Sequence, residues 1–167
     1  EDLRRLYSIP IIGMEPAVKP AVEKNGRAHK RVIVTATPLT LKEEKLRNLI
    51  DRVDNEHIVD LLPLPGLVKF AERYEFSGED VTGYIREEFG SFALEQYGTV
   101  VLGCTHFIYF KNILGEILPS HIDIIDGNIG TVNNLKRILE SSGEPGNGIG
   151  RVDYFCSGDP VTEAGEL

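Results

Sequence analysis

Short apolar runs rich in β-branched residues alternate along this chain with longer stretches whose apolar positions recur at helical spacing. Ile9-Pro10-Ile11-Ile12-Gly13-Met14 is a compact apolar run that leads into Glu15-Pro16-Ala17-Val18, where Pro16 suits the first turn of a helix. Arg31-Val32-Ile33-Val34-Thr35-Ala36 predicts a buried strand. Thr40 to Asp54 predicts an amphipathic helix, with Leu41, Leu46, Leu49 and Ile50 apolar among charges. His57 to Leu62 is the next strand, closed by Pro63 and Pro65, and Leu67–Tyr74 and Asp80–Gln96 read as helices. Gly98–Gly103 is a further buried strand, followed by a helix from about Phe107 to Leu118. His121–Asp126 is strand-like and Thr131–Glu140 helical. Ser141–Gly150, rich in Gly, Ser and Pro, predicts a loop, and Val152 to Cys156 alternates as a last strand would.

Strands joined by helices imply an α/β fold, with a parallel sheet, right-handed crossovers and helices on both faces. Ligands in such folds sit beyond the carboxyl ends of the strands. Four clusters fall there or on the helix that follows: Thr37 to Thr40, Glu72, Gly103-Cys104-Thr105-His106, and Asp126-Gly127-Asn128. Gly103 permits a sharp turn and puts Cys104 at the start of the next helix, where unpaired N–H groups favour a thiolate. Thr105 offers a hydroxyl to a carboxylate, and His106 holds or donates a proton. Each residue also has a plainer role open to it. Cys104 fits as a small core hydrophobe, Glu72 as a solvated helix residue, and Thr37 and Thr40 as helix caps.

Composition narrows the function classes. Apolar residues make up 41% and charged residues 26% of 167 positions, an ordinary globular balance. No apolar run approaches the roughly 20 residues of a membrane span, and the charged start lacks the core of a signal peptide, so a cytoplasmic protein is expected. A net charge of −8 argues against nucleic acid and gives an acidic ligand no general attraction, so local donors must hold it. The two cysteines, Cys104 and Cys156, are far apart, and a chain of this kind has no need of a disulfide. No second Cys/His pair has zinc spacing, so no metal is expected. Gly146-Asn147-Gly148-Ile149-Gly150 precedes a strand instead of following one, which makes it a turn and not a nucleotide loop.

Taken in order, these segments resemble glutamate racemase, of the aspartate/glutamate racemase superfamily. Ile9 to Ala17 with Pro20-Ala21 is similar to the segment entering that family's second domain, and Thr37 to Thr40 to its Thr-x-x-Thr loop. Pro65 followed seven positions later by Glu72 matches a proline turn and its glutamate. Leu102-Gly103-Cys104-Thr105-His106 is the most specific match, and Tyr154 to Asp159 resembles the closing strand. Two positions depart: Leu64 stands where a cysteine is common, and Ile108 where the family often has proline.

The resemblance implies a flavodoxin-like racemase domain over 8–127, with 128–167 forming the carboxy-terminal part of a second, similar domain. It implies racemisation of glutamate without a cofactor, by two bases on opposite faces of Cα. Cys104 would be one base, assisted by His106, with Glu72 as the acidic partner and Thr105, Thr37 and Thr40 as donors to substrate carboxylates. The family's other catalytic cysteine, its Asp-Ser loop and its Pro-Tyr-Gly stretch have no counterpart here. The chain alone is therefore expected to be weak or inactive, and the intact enzyme a homodimer supplying D-glutamate to peptidoglycan. Aspartate or hydantoin racemisation, decarboxylation by one thiol, and an inactive interaction domain are the alternatives.

Overall fold

The computed structural model describes residues 2–143 and residue 150. A short helix, α1 (Asp2–Leu6), is followed by residues 7–17, which contain no helix or strand. Helix α2 (Val18–Ala28) starts two residues beyond Pro16, so that proline lies just before the first turn instead of within it. The helix stops at His29, whose left-handed backbone (φ 51°) turns the chain into β1 (Arg31–Ala36). Then come α3 (Pro38–Lys42), α4 (Glu44–Val53), β2 (Val59–Pro63), α5 (Pro65–Glu72) and α6 (Glu79–Phe89). A 3-10 turn at Leu94–Gln96 leads into β3 (Tyr97–Leu102), and a second at Thr105–Phe110 into α7 (Lys111–Ile117). Strand β4 (Asp123–Asp126) and α8 (Asn128–Ser142) complete the described chain.

The four strands form one parallel sheet in the order β2-β1-β3-β4. Both faces are covered, which is why the central strands read as continuous apolar runs. Along β1, Ile33 joins Val100 and Leu102 of β3 in a core with α5, α6, α7 and the Thr105–Phe110 turn. Val32, Val34 and Val101 point the other way, into a core with α2 and α4. Each fully buried aliphatic side chain of this kind contributes about 1.5–3 kcal/mol. The polar groups left inside are satisfied. Thr35 Oγ1 donates to the Val101 carbonyl at 3.0 Å, and Asn25 Nδ2 donates to Thr99 Oγ1 at 2.7 Å.

Three predicted helices differ in detail. The amphipathic pattern of Thr40–Asp54 runs through a break at Glu43, whose extended backbone (φ −66°, ψ 131°) separates α3 from α4. The predicted Asp80–Gln96 helix ends at Phe89, capped by Gly90, and the predicted Phe107–Leu118 helix begins as a 3-10 turn. The predicted strand Val152–Cys156 and most of the Ser141–Gly150 loop lie outside the described residues.

At the amino-terminal edge, β2, β1 and β3 are tied by a half-buried network. Asp60 Oδ2 accepts from Arg31 and from the Tyr97 hydroxyl, each at 2.7 Å. Burial pushes the Asp60 carboxyl up, but the bonds from Arg31 and Tyr97 outweigh it and hold the group below the usual carboxylate range. A depressed folded-state pKa means stability that is fully present above the unfolded value of about 3.9 and lost as pH falls through the folded one. Asp60→Asn is therefore expected to cost about 1 kcal/mol at neutral pH. That gap should close as pH drops below about 4 in urea titrations run at both ends.

Helix α8 contrasts with this interior. None of its residues is buried, and Ile129, Val132, Leu135 and Leu139 form an exposed apolar stripe. Leu3, Leu6, Tyr7 and Ile9, in and after α1, are exposed as well. No helix among the described residues is long and apolar enough to cross a membrane.

Candidate active site

From β1 the chain passes to β2 on one side, whereas β3 is followed by β4 on the other, so the switch in direction falls between β1 and β3. Their carboxyl ends open the crevice in which doubly wound folds bind ligands. Gly103 closes the floor. Its N–H donates to the Thr35 carbonyl at 2.7 Å, and a Cβ at this position would lie 2.7 Å from that same oxygen. Only a residue without a side chain lets the end of β3 lie so close to β1.

Cys104 follows with an extended backbone (φ −127°, ψ 142°) and caps the Thr105–Phe110 turn. Phe107 and Phe110, three residues apart and fully buried, anchor that turn in the core. Cys104 is half-buried and packs against the same core. Its Sγ lies 3.7 Å from His106 Nδ1, so thiol and imidazole are in contact and able to exchange a proton. Thr105 is exposed between them.

A cleft of about 160 Å³ is lined by Cys104, Thr105, Gly103, Pro16, Asp126 and Gly127, among others. Gly127 is close-packed too, since a Cβ there would lie 2.6 Å from the Glu15 carbonyl. A second cleft of about 180 Å³ adjoins it, shares Met14, Glu15, Pro16 and Gly103, and reaches Thr40. Thr37 and Thr40 do act as a cap. The Thr40 N–H donates to Thr37 Oγ1 at 3.2 Å, and the two hydroxyls are 3.0 Å apart. Thr40 lines the second cleft, while Thr37 lines neither.

Glu72 stands apart. It is the last residue of α5, exposed, and lines neither cleft. The start of α5 is held firmly by Gly66, whose N–H donates to Tyr84 Oη at 3.0 Å beneath the Tyr84 ring. Burial pushes the Tyr84 hydroxyl up to about 12. The fold thus places Cys104, Thr105 and His106 together, brings Thr40 to the neighbouring cleft, and leaves Glu72 exposed at the end of α5.

Two residues at the cleft or beside it have no role assigned from sequence. Glu15 lines it from the irregular segment before α2, and Lys111, outside the cleft, reaches Asp126 from fifteen residues away. The strand-end rule singles out Asp126; nothing in the spacing pairs it with Lys111. Among the described residues, no three His, Cys, Asp or Glu side chains converge as metal ligands would.

Residues 1–135 match the family model described as Asp/Glu/Hydantoin racemase. The chain belongs to that racemase family. Glutamate racemase of Halothermothrix orenii is 52% identical over 160 residues, covering 95% of this chain and 62% of the relative. Glutamate racemase 2 of Bacillus subtilis is 48% identical over 163 residues, covering 98% of this chain and 62% of the relative. Among solved structures, the Escherichia coli glutamate racemase in complex with L-glutamate and the activator UDP-MurNAc-ala superposes with a TM-score of 0.70 at 29% identity. That match covers 83% of this chain and 52% of the other. The parallel sheet flanked by helices expected from the strand pattern, and the racemase fold implied by the resemblance, are the fold observed, and the chain spans 62% of the length of these two relatives.

Proposed function

We propose that this chain supplies one wall of a glutamate racemase, with Cys104 as the acid–base group on one face of the substrate Cα. The contact between Cys104 Sγ and His106 Nδ1, 3.7 Å apart at the switch of a racemase-family sheet, carries this assignment. In the step facing Cys104, the thiolate takes the Cα proton, the Cα–H bond breaks, and its electron pair delocalises into the substrate carboxylate as an S–H bond forms. A second base on the opposite face returns a proton from that side. His106 assists proton transfer at the thiol. Thr105 and Thr40 donate hydroxyls to the substrate carboxylates, and Thr37 orders the Thr40 loop; Glu72, exposed at the end of α5 and outside both clefts, is the acidic partner that joins the pair once the opposite wall is in place. No cofactor takes part in this scheme.

Residues 8–127 are assigned to the second racemase domain, and 128–167 to the closing segment of the first. Two observations support this division. The Cys104 cleft, at about 160 Å³, is smaller than the roughly 300–1,000 Å³ of enclosed ligand pockets. The apolar stripe of α8 also lacks cover among the described residues. The reassembled enzyme is proposed to act as a cytoplasmic homodimer that supplies D-glutamate for peptidoglycan.

The test is solvent-deuterium incorporation at Cα of L- and D-glutamate, with aspartate and a hydantoin run in parallel. The chain alone is expected to show little or no racemisation. Adding the remaining 38% of a relative such as the Halothermothrix orenii enzyme, whose other 62% this chain matches, should restore it, and Leu135→Asp should weaken that assembly. Turnover by the chain alone at the rate of an intact racemase would sink the two-wall assignment. Exchange confined to aspartate or the hydantoin would move the substrate.

A further inference from the structure

Glu15 and Asp126 are the charged side chains that line the Cys104 cleft, and both are acidic. In a chain of net charge −8, such a wall repels a carboxylate ligand and a neighbouring thiolate alike. The two acids differ in their surroundings. The Glu15 side chain is 52% exposed, and its partner Lys45, 70% exposed, is 3.8 Å away. Water and salt already screen that pair. The Asp126 side chain is only 12% exposed. Its Oδ1 accepts the Asn128 N–H at 2.9 Å and its Oδ2 accepts from Lys111 Nζ at 3.1 Å.

Asp126 thus ends β4 and holds the first N–H of α8, a structural task done at the edge of a site meant for an anion. Lys111 is the first residue of α7, directly after the turn that carries Cys104, Thr105 and His106. It borders a third, wider cleft of about 680 Å³ on the other side of Asp126, lined also by Ile129 and Thr131, and not the Cys104 cleft itself, so it is placed to neutralise Asp126 without occupying ligand space.

We propose that Lys111 is an electrostatic positioning residue that cancels the Asp126 charge and makes the Cys104 cleft permissive to a carboxylate ligand. Its meaning for racemisation rests on the proposed role of Cys104. The charge compensation itself does not. His106, 3.7 Å from the thiol, also faces Cys104.

The experiment compares alkylation of Cys104 by iodoacetate and by iodoacetamide in the purified chain, read by mass spectrometry on the Cys104 peptide. The reagents are close in size and differ in charge. The ratio of their rates removes thiol ionisation and access, and leaves the local field. Lys111→Met is expected to lower the iodoacetate-to-iodoacetamide ratio about three- to tenfold at low salt, with much of the effect screened near 1 M. Lys111→Arg should hold the ratio. Lys111→Met with Asp126→Asn should restore it, and Asp126→Asn alone should raise it above wild type. Lys45→Met serves as control and should leave it unchanged. An unaltered ratio in folded Lys111→Met, or a fall that Asp126→Asn does not relieve, overturns the proposal. Should Lys111→Met fail to fold, an unchanged ratio in Asp126→Asn does the same. A shifted ratio in a chain whose reassembled enzyme shows no Cα exchange would keep the compensation and reject the racemase site, so the two failures are separable.

Discussion

Gly103→Ala is expected to destabilise the chain by about 2–4 kcal/mol, measured as a lowered urea midpoint with unchanged slope. The added Cβ would sit 2.7 Å from the Thr35 carbonyl oxygen and 3.4 Å from Ala36 Cβ. The first of these atoms belongs to the backbone of a central strand and has no rotamer to swing away. Relief requires β3 to separate from β1 at its end, which breaks the 2.7 Å bond from the Gly103 N–H to Thr35. Gly83→Ala is the matched control. That glycine lies within α6 with no atom within 4 Å of an added Cβ, and alanine there should stabilise by about 0.5–1 kcal/mol. A loss below about 1 kcal/mol at Gly103 would mean that the strand end yields easily and that Cys104 is held by its turn alone.

The same contrast separates what the sequence made legible from what it hid. Strands β1 and β3 are visible because burial on both faces demands unbroken β-branched runs. The strand-end rule then leads directly to Cys104. The break at Glu43 was hidden because the apolar spacing continues through it. Thr37 and Pro38 start a helix earlier than Thr40, and one extended residue resets the path. In the sequence the Thr105–Phe110 turn reads as part of a helix beginning near Phe107. Phe107 and Phe110 are both buried at a spacing of three, which a 3-10 turn satisfies as well as an α-helix does.

Tertiary pairings were hidden for a different reason. Lys111 meets Asp126 only because β3 and β4 are neighbours, and sheet order is not written in local pattern. Glu72 shows the converse. Its distance from Pro65 matters only through the family resemblance, and eight residues of helix carry it to an exposed end. The stripe on α8 reads as an ordinary amphipathic pattern, and its exposure follows from the resemblance, which gives this segment to another domain; in the structure no described residue covers it.

The largest effect on chemistry is expected at Cys104 in the reassembled enzyme. Racemisation needs proton removal on one face and delivery on the other, so Cys104→Ala should lower turnover in both directions by about 10²–10⁴-fold. Deuterium exchange should divide the enantiomers. The one whose Cα–H faces Cys104 loses its base and stops exchanging, while its mirror image still meets the opposite base and retains measurable wash-in. His106→Asn should lower the rate less and leave that asymmetry small, because it removes assistance and not the base. Equal loss of exchange from both enantiomers in Cys104→Ala, with the fold intact, would assign Cys104 to the shape of the cleft. The 3.7 Å contact with His106 would then be packing beside a site whose chemistry lies on the other wall. Because thiol loss and cleft distortion differ in this symmetry, comparing the two enantiomers decides between them where total activity cannot.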